Sequence, residues 1–224
     1  MPLGDYQFGK PSRITARTHA GDTGVVNIDR ETEMGGQIHN KGSMILQGYL
    51  GGQFAQDHPL TLAASITFEQ TYSGVEGDSA SSTELYALLS SLADMPIKQG
   101  LAVTGSVNQH GEIQAIGGVN AKIEGFFRVC RELGLTGDQG VIIPESNVQD
   151  LMLRQDIREA VENGQFEIHA ISDVDEGIEI LTGEPTGERG DDGTYPDGTV
   201  KGAVQDRLRN LAQTTRAFGR DREE

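Results

Sequence analysis

Cleaving an amide takes a hydroxyl or thiol nucleophile, a base to accept its proton and donors for the oxyanion. The stretch from Tyr72 to Gly125 carries the first two. Ser79 stands in Glu76-Gly77-Asp78-Ser79-Ala80-Ser81-Ser82, a run of small and acidic residues where a turn enters a helix. Backbone N–H groups at a helix start are free and carry partial positive charge, which suits an oxyanion. Lys122 stands in the next helix beside Val119, Ile123 and Phe126, which read as a buried face. Burial on such a face lowers a lysine pKa. Bringing it from about 10.4 to near neutrality costs roughly 4 kcal/mol.

Both residues also have ordinary explanations. Asp78 or Ser79 can simply cap the helix, with Thr83 or Glu84 completing the cap. Lys122 can lay its stem on apolar neighbours while its ammonium reaches water. Local sequence by itself favours these readings. No other base is marked: His19, His39, His58 and His169 are scattered without an acidic pattern, and His110 lies in a polar turn. A Ser–His–Asp triad assembled in space stays open, although nothing in the sequence points to it.

The elements that must position these residues follow from periodicity. Ile14, Ala16 and Thr18 alternate with Arg13, Thr15 and Arg17 in one strand. The Gly21–Gly24 turn then leads to Val25-Val26-Asn27-Ile28, which predicts an N-terminal β-hairpin. A third apolar run, Met44-Ile45-Leu46, leads into a short helix at Gly48–Phe54. Leu62, Ala64, Ile66 and Phe68 share one face of a strand over 61–69. From Ser79 a helix carries Leu85, Leu88, Leu89 and Leu92 at helical spacing, and Pro96 closes it.

A strand over 101–107, a turn at 108–112 and a return over 113–116 form the hairpin between the serine and the lysine. The lysine helix runs from Val119 to Leu133, stopped by Gly134. Beyond it come a buried strand at Val141–Pro144, a helix over 147–161, a strand at Phe166–His169 and a helix capped by Asp173. After Thr182 the Gly-, Pro- and acid-rich stretch GEPTGERGDDGTYPDGT reads as a linker or loose tail. A final helix carries Val200, Val204, Leu208 and Leu211 as a narrow stripe, either packed back on its own domain or contacting another subunit.

Composition narrows the function classes. The 224 residues allow one large domain or two small ones, and the 36% hydrophobic content makes a core of Ile, Leu, Val and Ala. A net charge of −16 argues against nucleic acid as a direct partner, because phosphate binding needs clustered cations. The single Cys130 excludes an internal disulfide and a multi-cysteine metal site, and it fits a reducing, cytoplasmic setting. No run is long enough for a membrane span, and the N-terminus has no apolar signal core. Gly4 and Gly9-Lys10 mimic a phosphate-binding loop, but Pro11 stands where that loop needs a hydroxyl, so residues 1–11 read as a flexible leader.

Taken together and in order, these stretches resemble the proteolytic domain of the Lon family of ATP-dependent proteases. Glu76-Gly77-Asp78-Ser79-Ala80-Ser81 is similar to the nucleophile motif of the archaeal-type (B-type) and Lon-related branch. Val103-Thr104-Gly105, Gly117-Gly118-Val119 with Lys122, and Val141-Ile142-Ile143-Pro144 with Asn147 resemble the family's successive strand and helix junctions. The resemblance covers about residues 10–182. It implies an α+β fold, a small mixed β-sheet with flanking helices. It also implies a serine endopeptidase acting through an acyl-enzyme, with Ser79 as nucleophile and Lys122 as general base. Thr104 falls where the family's lysine-orienting hydroxyl lies, and Glu76 and Asp78 match acidic positions near the dyad. The backbone N–H of Ser79, with that of Asp78, would face the oxyanion.

The expected organisation is a leader at 1–11, a proteolytic domain at 12–182, a linker at 183–199 and a C-terminal helix and tail at 200–224. The resemblance implies no cofactor or metal in this domain. It implies ATP and Mg²⁺ for an AAA+ ATPase module acting in cis or in trans, and a homo-oligomer, a hexameric ring. The implied substrates are unfolded proteins or peptides. The competing expectation is a Lon-like module that is catalytically latent or serves ring assembly or binding. The Gly-rich approach at Gly74–Gly77 motivates the latent form, since such a loop can collapse onto the site.

Overall fold

A computed structural model describes residues 2–3, 6–57 and 59–220. Strands β1 (Pro2–Leu3) and β2 (Tyr6–Gln7) form a short antiparallel pair. Then follow β3 (Ile14–His19), β4 (Gly24–Asn27), α1 (Ile28–Glu31), α2 (Gln37–Phe54) and β5 (Ala63–Phe68). The centre holds α3 (Ser81–Ala93), β6 (Leu101–Val103), β7 (Ser106–Val107), β8 (Ile113–Gln114) and α4 (Val119–Leu133). The last part holds β9 (Gly140–Pro144), a 3-10 turn (Glu145–Asp150), α5 (Gln155–Glu162), β10 (Glu167–Ile171), α6 (Val174–Thr182) and α7 (Val200–Arg220).

The fold is α+β, with small sheets flanked by helices. One three-stranded sheet has the order β3-β5-β4, with β3 antiparallel and β4 parallel to β5. The expected N-terminal β-hairpin is therefore corrected: β5 lies between β3 and β4, and its apolar Ala63–Phe68 run pairs with both. The second sheet, β10-β9-β6, is parallel throughout.

Strand β9 is the wall between two apolar clusters. All five of its residues are buried, and successive side chains point to opposite faces. Ile142 joins the cluster built by α2, α3, α6 and α7. Val141 and Ile143 join the one built by α4 and α5, with Ile123, Phe127, Ile157 and Phe166. A strand covered on both faces reads as a continuous apolar run, which is why Val141–Pro144 is visible in the sequence.

Several other expectations shift. The Met44-Ile45-Leu46 run is not a separate element, because one helix spans Gln37–Phe54 and buries Leu46, Leu50 and Phe54 on one side. The predicted helix over 147–161 divides into the 3-10 turn and α5, with the chain out of helix between them and extended at Leu151 and Arg154. Helix α4 keeps the expected bounds, and Asp173 caps α6 by accepting from the Glu176 N–H.

The stretch after Thr182 is tied down rather than loose. Arg189 pairs with Asp57 at 3.1 Å, the Tyr195 hydroxyl donates to Gln53 Oε1 at 3.0 Å, and Lys201 pairs with Asp175 at 2.6 Å. Val200, Val204, Leu208 and Leu211 enter the first cluster, so α7 packs back on its own domain. The end of the leader is also held: the Gly9 N–H donates to the Ala121 carbonyl at 3.0 Å. Of the phosphate-loop mimic, Gly4 lies outside the described residues.

Candidate active site

Ser79 precedes α3, which packs into the first apolar cluster, and Lys122 lies on α4, which packs into the second. Helix α3 starts at Ser81, two residues later than the sequence suggests, with Ala80 as its N-cap and no side-chain cap. Neither Asp78 nor Ser79 caps the helix, so both side chains are available for other contacts. Gly77 has φ 85°, a left-handed conformation that glycine adopts without strain, and it turns the chain into Asp78-Ser79. Lys122 projects from the flank of α4 whose buried face carries Val119, Ile123 and Phe127.

The two side chains touch. Lys122 Nζ donates to Ser79 Oγ at 2.8 Å and to Thr104 Oγ1 at 3.0 Å. Burial holds the lysine pKa below its ordinary value, while the nearby Asp78 carboxylate opposes that shift. A neutral amine at this distance can take the proton of the hydroxyl.

The support comes from the strand that the sequence reads as continuous over 101–107. It breaks after β6, because Thr104 and Gly105 turn their polar groups to the serine turn. The Thr104 N–H still donates to the Ile142 carbonyl at 3.0 Å, completing the β9 side. Beyond it, the Gly105 N–H donates to the Ser79 carbonyl at 2.8 Å, and the Thr104 hydroxyl donates to the same oxygen at 3.1 Å. In return the Gly105 carbonyl accepts from the Ser82 N–H at 3.2 Å and its hydroxyl at 2.9 Å. Among the described residues neither the Asp78 nor the Ser79 N–H donates to a carbonyl.

The acidic neighbours do different jobs. Asp78 accepts from the Ser106 hydroxyl at 2.9 Å, fixing the carboxylate against β7. Glu76 turns away from the serine to the start of α2, where its Oε1 accepts from the Ile38 N–H at 3.3 Å. That helix has Gly36 as N-cap and no capping side chain of its own, so a carboxylate from another segment fills the place. A side chain on Gly36 would run into the Glu76 carboxylate. Val75 adds backbone bonds to Met34 and Gly36, and the Gly-rich approach is thereby pinned.

Sequence reasoning missed Ser106, Gly36, Ile38 and the Gly105 backbone. Their roles are long-range bonds between segments of unremarkable local sequence, and only the interruption Thr104-Gly105 hints at them. None of the described histidines lines the cleft holding Ser79, and His58 lies outside the described residues. His39 is buried elsewhere, 3.8 Å from Glu84, and His110 is exposed.

The cleft at Ser79 has a volume of about 460 Å³ and also presents Ala80, Thr83, Leu101, Val103 and Phe126. The described residues hold no cluster of three metal-ligating side chains, and no helix among them is long and apolar enough to cross a membrane.

The family profile described as the Lon protease (S16) C-terminal proteolytic domain matches residues 70–183, which contain both Ser79 and Lys122. A putative Lon protease homolog of Escherichia coli is 50% identical over 174 residues, covering 78% of this chain and 30% of that protein. A putative Lon protease homolog of Haemophilus influenzae is 41% identical over 209 residues, 93% of this chain and 35% of that protein. An archaeal Lon protease of Pyrococcus abyssi is 35% identical over 155 residues, 62% of this chain and 14% of that protein. The chain thus spans about a third or less of the length of these relatives. With the profile covering half of the chain and relatives this close, the chain belongs to the Lon protease (S16) family and carries its proteolytic domain.

Proposed function

We propose that the chain is the proteolytic part of an ATP-dependent serine endopeptidase, with residues 12–182 as the catalytic domain. Ser79 attacks the scissile carbonyl carbon and Lys122 Nζ takes the hydroxyl proton. The C–N bond then breaks, the departing amine receives that proton, and water hydrolyses the acyl-serine ester through the same lysine. Thr104 orients the lysine, and the Asp78 and Ser79 N–H groups stabilise the oxyanion. The observation that carries this reading is the 2.8 Å contact between Lys122 Nζ and Ser79 Oγ at a lysine whose pKa is lowered by burial.

That contact also favours an intact site over a collapsed, latent one, as does the pinning of the Gly74–Gly77 approach by Val75 and Glu76. The reading extends, through family membership, to a hexameric ring, an AAA+ ATPase module in cis or in trans using ATP and Mg²⁺, and cytoplasmic turnover of unfolded proteins. The test is cleavage of casein and of a fluorogenic peptide, with the ATPase module present, by the parent and by Ser79→Ala and Lys122→Ala. Loss of cleavage in both, together with phosphonate labelling of Ser79 in the parent only, is expected. Undiminished cleavage in either variant overturns the assignment.

A further inference from the structure

The chain carries 34 acidic residues against 18 lysines and arginines, yet several of those cations line the cleft and the cavity beside it. Among the residues lining the Ser79 cleft are Lys10, Arg13 and Lys98, and no carboxylate is among them. The cleft shares Arg13, Ile14, Ala87 and Gln99 with a second cavity of about 780 Å³, so the two form one groove. This second part adds Arg17 from β3 and Arg207 from α7, with Asp94 as its acid.

The arrangement follows from the alternation in β3. Ile14 and Ala16 pack on the core while Arg13 and Arg17 stay exposed. The sheet order leaves β3 as an edge strand, paired only with β5. Within the same lining the Thr18 hydroxyl meets Ser91 Oγ at 3.1 Å.

Among the described residues Arg13, Arg17 and Arg207 form no ion pair, whereas Arg131, Arg154, Arg189 and Arg209 each hold an aspartate. Three unpaired guanidinium groups in one groove repel one another, and a guanidinium is built to hold a carboxylate by two parallel hydrogen bonds. Arg13, Arg17 and Arg207 all lie outside residues 70–183, so the segments flanking the matched proteolytic domain supply this charge.

We infer that the groove running from Ser79 along β3 binds an acidic segment of the peptide substrate, held by Arg13, Arg17 and Arg207. The inference deepens the peptidase reading and rests on it. From Arg13 to Arg17 the strand advances about 13 Å, the span of roughly four residues of an extended peptide. Carboxylates a few residues from the scissile bond therefore meet the guanidinium groups. Because these are exposed, the attraction weakens once the Debye length, about 10 Å at 0.1 M salt, shrinks further.

The test uses fluorogenic peptides that differ only in a four-residue flank, Glu/Asp in one and Gln/Asn in the other, with the flank placed on either side of the scissile bond. The proteins are the parent and the Arg17→Gln/Arg207→Gln double variant. The acid-flanked peptide is expected to have a kcat/KM about three- to tenfold higher in the parent, mainly through KM, on at least one side. High salt and the double variant should remove that advantage, lowering kcat/KM for the acid-flanked peptide by a larger factor than for the amide-flanked one. Equal cleavage of both peptides by the parent, or equal loss of both in the double variant, overturns the inference.

If the parent cleaves neither peptide, the peptidase reading has failed and binding decides the groove separately. Fluorescence anisotropy with the same peptides then either shows tighter, salt-sensitive binding of the acid-flanked one, which Arg17→Gln/Arg207→Gln removes, or equal binding, which rejects the groove. Should the double variant not fold, the parent alone decides: a preference for the acid-flanked peptide that high salt abolishes supports the groove, and a preference that salt leaves intact rejects it.

Discussion

The Thr104 hydroxyl donates to the Ser79 carbonyl at 3.1 Å while it receives the Lys122 ammonium at 3.0 Å. One hydroxyl thus fixes the serine's backbone and the lysine's head group together. Thr104→Val keeps the shape and removes both bonds. It is expected to lower kcat by up to about 100-fold with little change in KM, since small misplacements of reacting groups cost that much. Thr104→Ser should restore most of the rate. A Thr104→Val enzyme with unchanged kcat would remove Thr104 from the site.

The charge beside the lysine sets the direction of a pH test. In the proposed role of base Lys122 must be neutral, so kcat/KM is expected to rise with pH through its folded pKa. Burial puts that rise below the ordinary lysine range, and Asp78 pulls it back up. Asp78→Asn should shift the rise to lower pH while keeping a side chain that can accept from Ser106. A profile of peptide cleavage between about pH 5 and 10 reads the shift; an upward shift or none would show that Asp78 does not act through its charge.

How much of this is legible in the sequence follows from the range of the interactions. The lysine helix, the Asp173 cap and the doubly buried β9 are local patterns, and the sequence predicts them closely. The pairing of β3 and β4 is not local: β5, distant in sequence, separates two strands that a short turn makes look like a hairpin. Ser79 reads as a cap because small residues at a helix start serve both purposes, and Lys122 reads as a surface lysine because its helix is amphipathic. Their encounter depends on the break at Thr104-Gly105, which no periodicity reveals. The tail after Thr182 has the composition of a loose segment, yet Tyr195 and Val200 are buried in the main core.

The approach to the serine has its own test. Glu76 caps a helix, α2, to which it is not joined in sequence, and Gly36 leaves room for its carboxylate. Glu76→Ala should cost about 0.5–1 kcal/mol of stability, in the range of an exposed helix-terminus charge. Gly36→Ala should do more damage, because the added methyl displaces the carboxylate. In both variants phosphonate labelling of Ser79 is expected to slow more than KM changes. Labelling at the parental rate would mean that the Glu76 contact does not hold the turn.

The buried Glu84, on the first turns of the same helix α3, gives the last prediction. Its carboxyl is pushed up to about 8 by burial, against a hydrogen bond from Asn27 Nδ2 at 2.8 Å, with Asp29 raising it further. In an unfolded chain it titrates near 4.5. Between those values the native state binds more protons, so this contribution to stability is complete below 4.5 and is lost as pH rises through about 8. His39, whose Nε2 lies 3.8 Å from Glu84, has its pKa lowered by burial and acts in the opposite sense below its ordinary 6.5. Above about pH 6.5 that histidine contribution is over, and comparison with Glu84→Gln, which cannot ionise, cancels the contribution of Lys122, whose pKa is lowered by burial. Between about pH 6.5 and 8, urea unfolding should show the parent losing on the order of 2 kcal/mol relative to Glu84→Gln. A parent whose pH dependence matches the variant's would mean that Glu84 is ionised in the native protein, with His39 carrying the balancing proton.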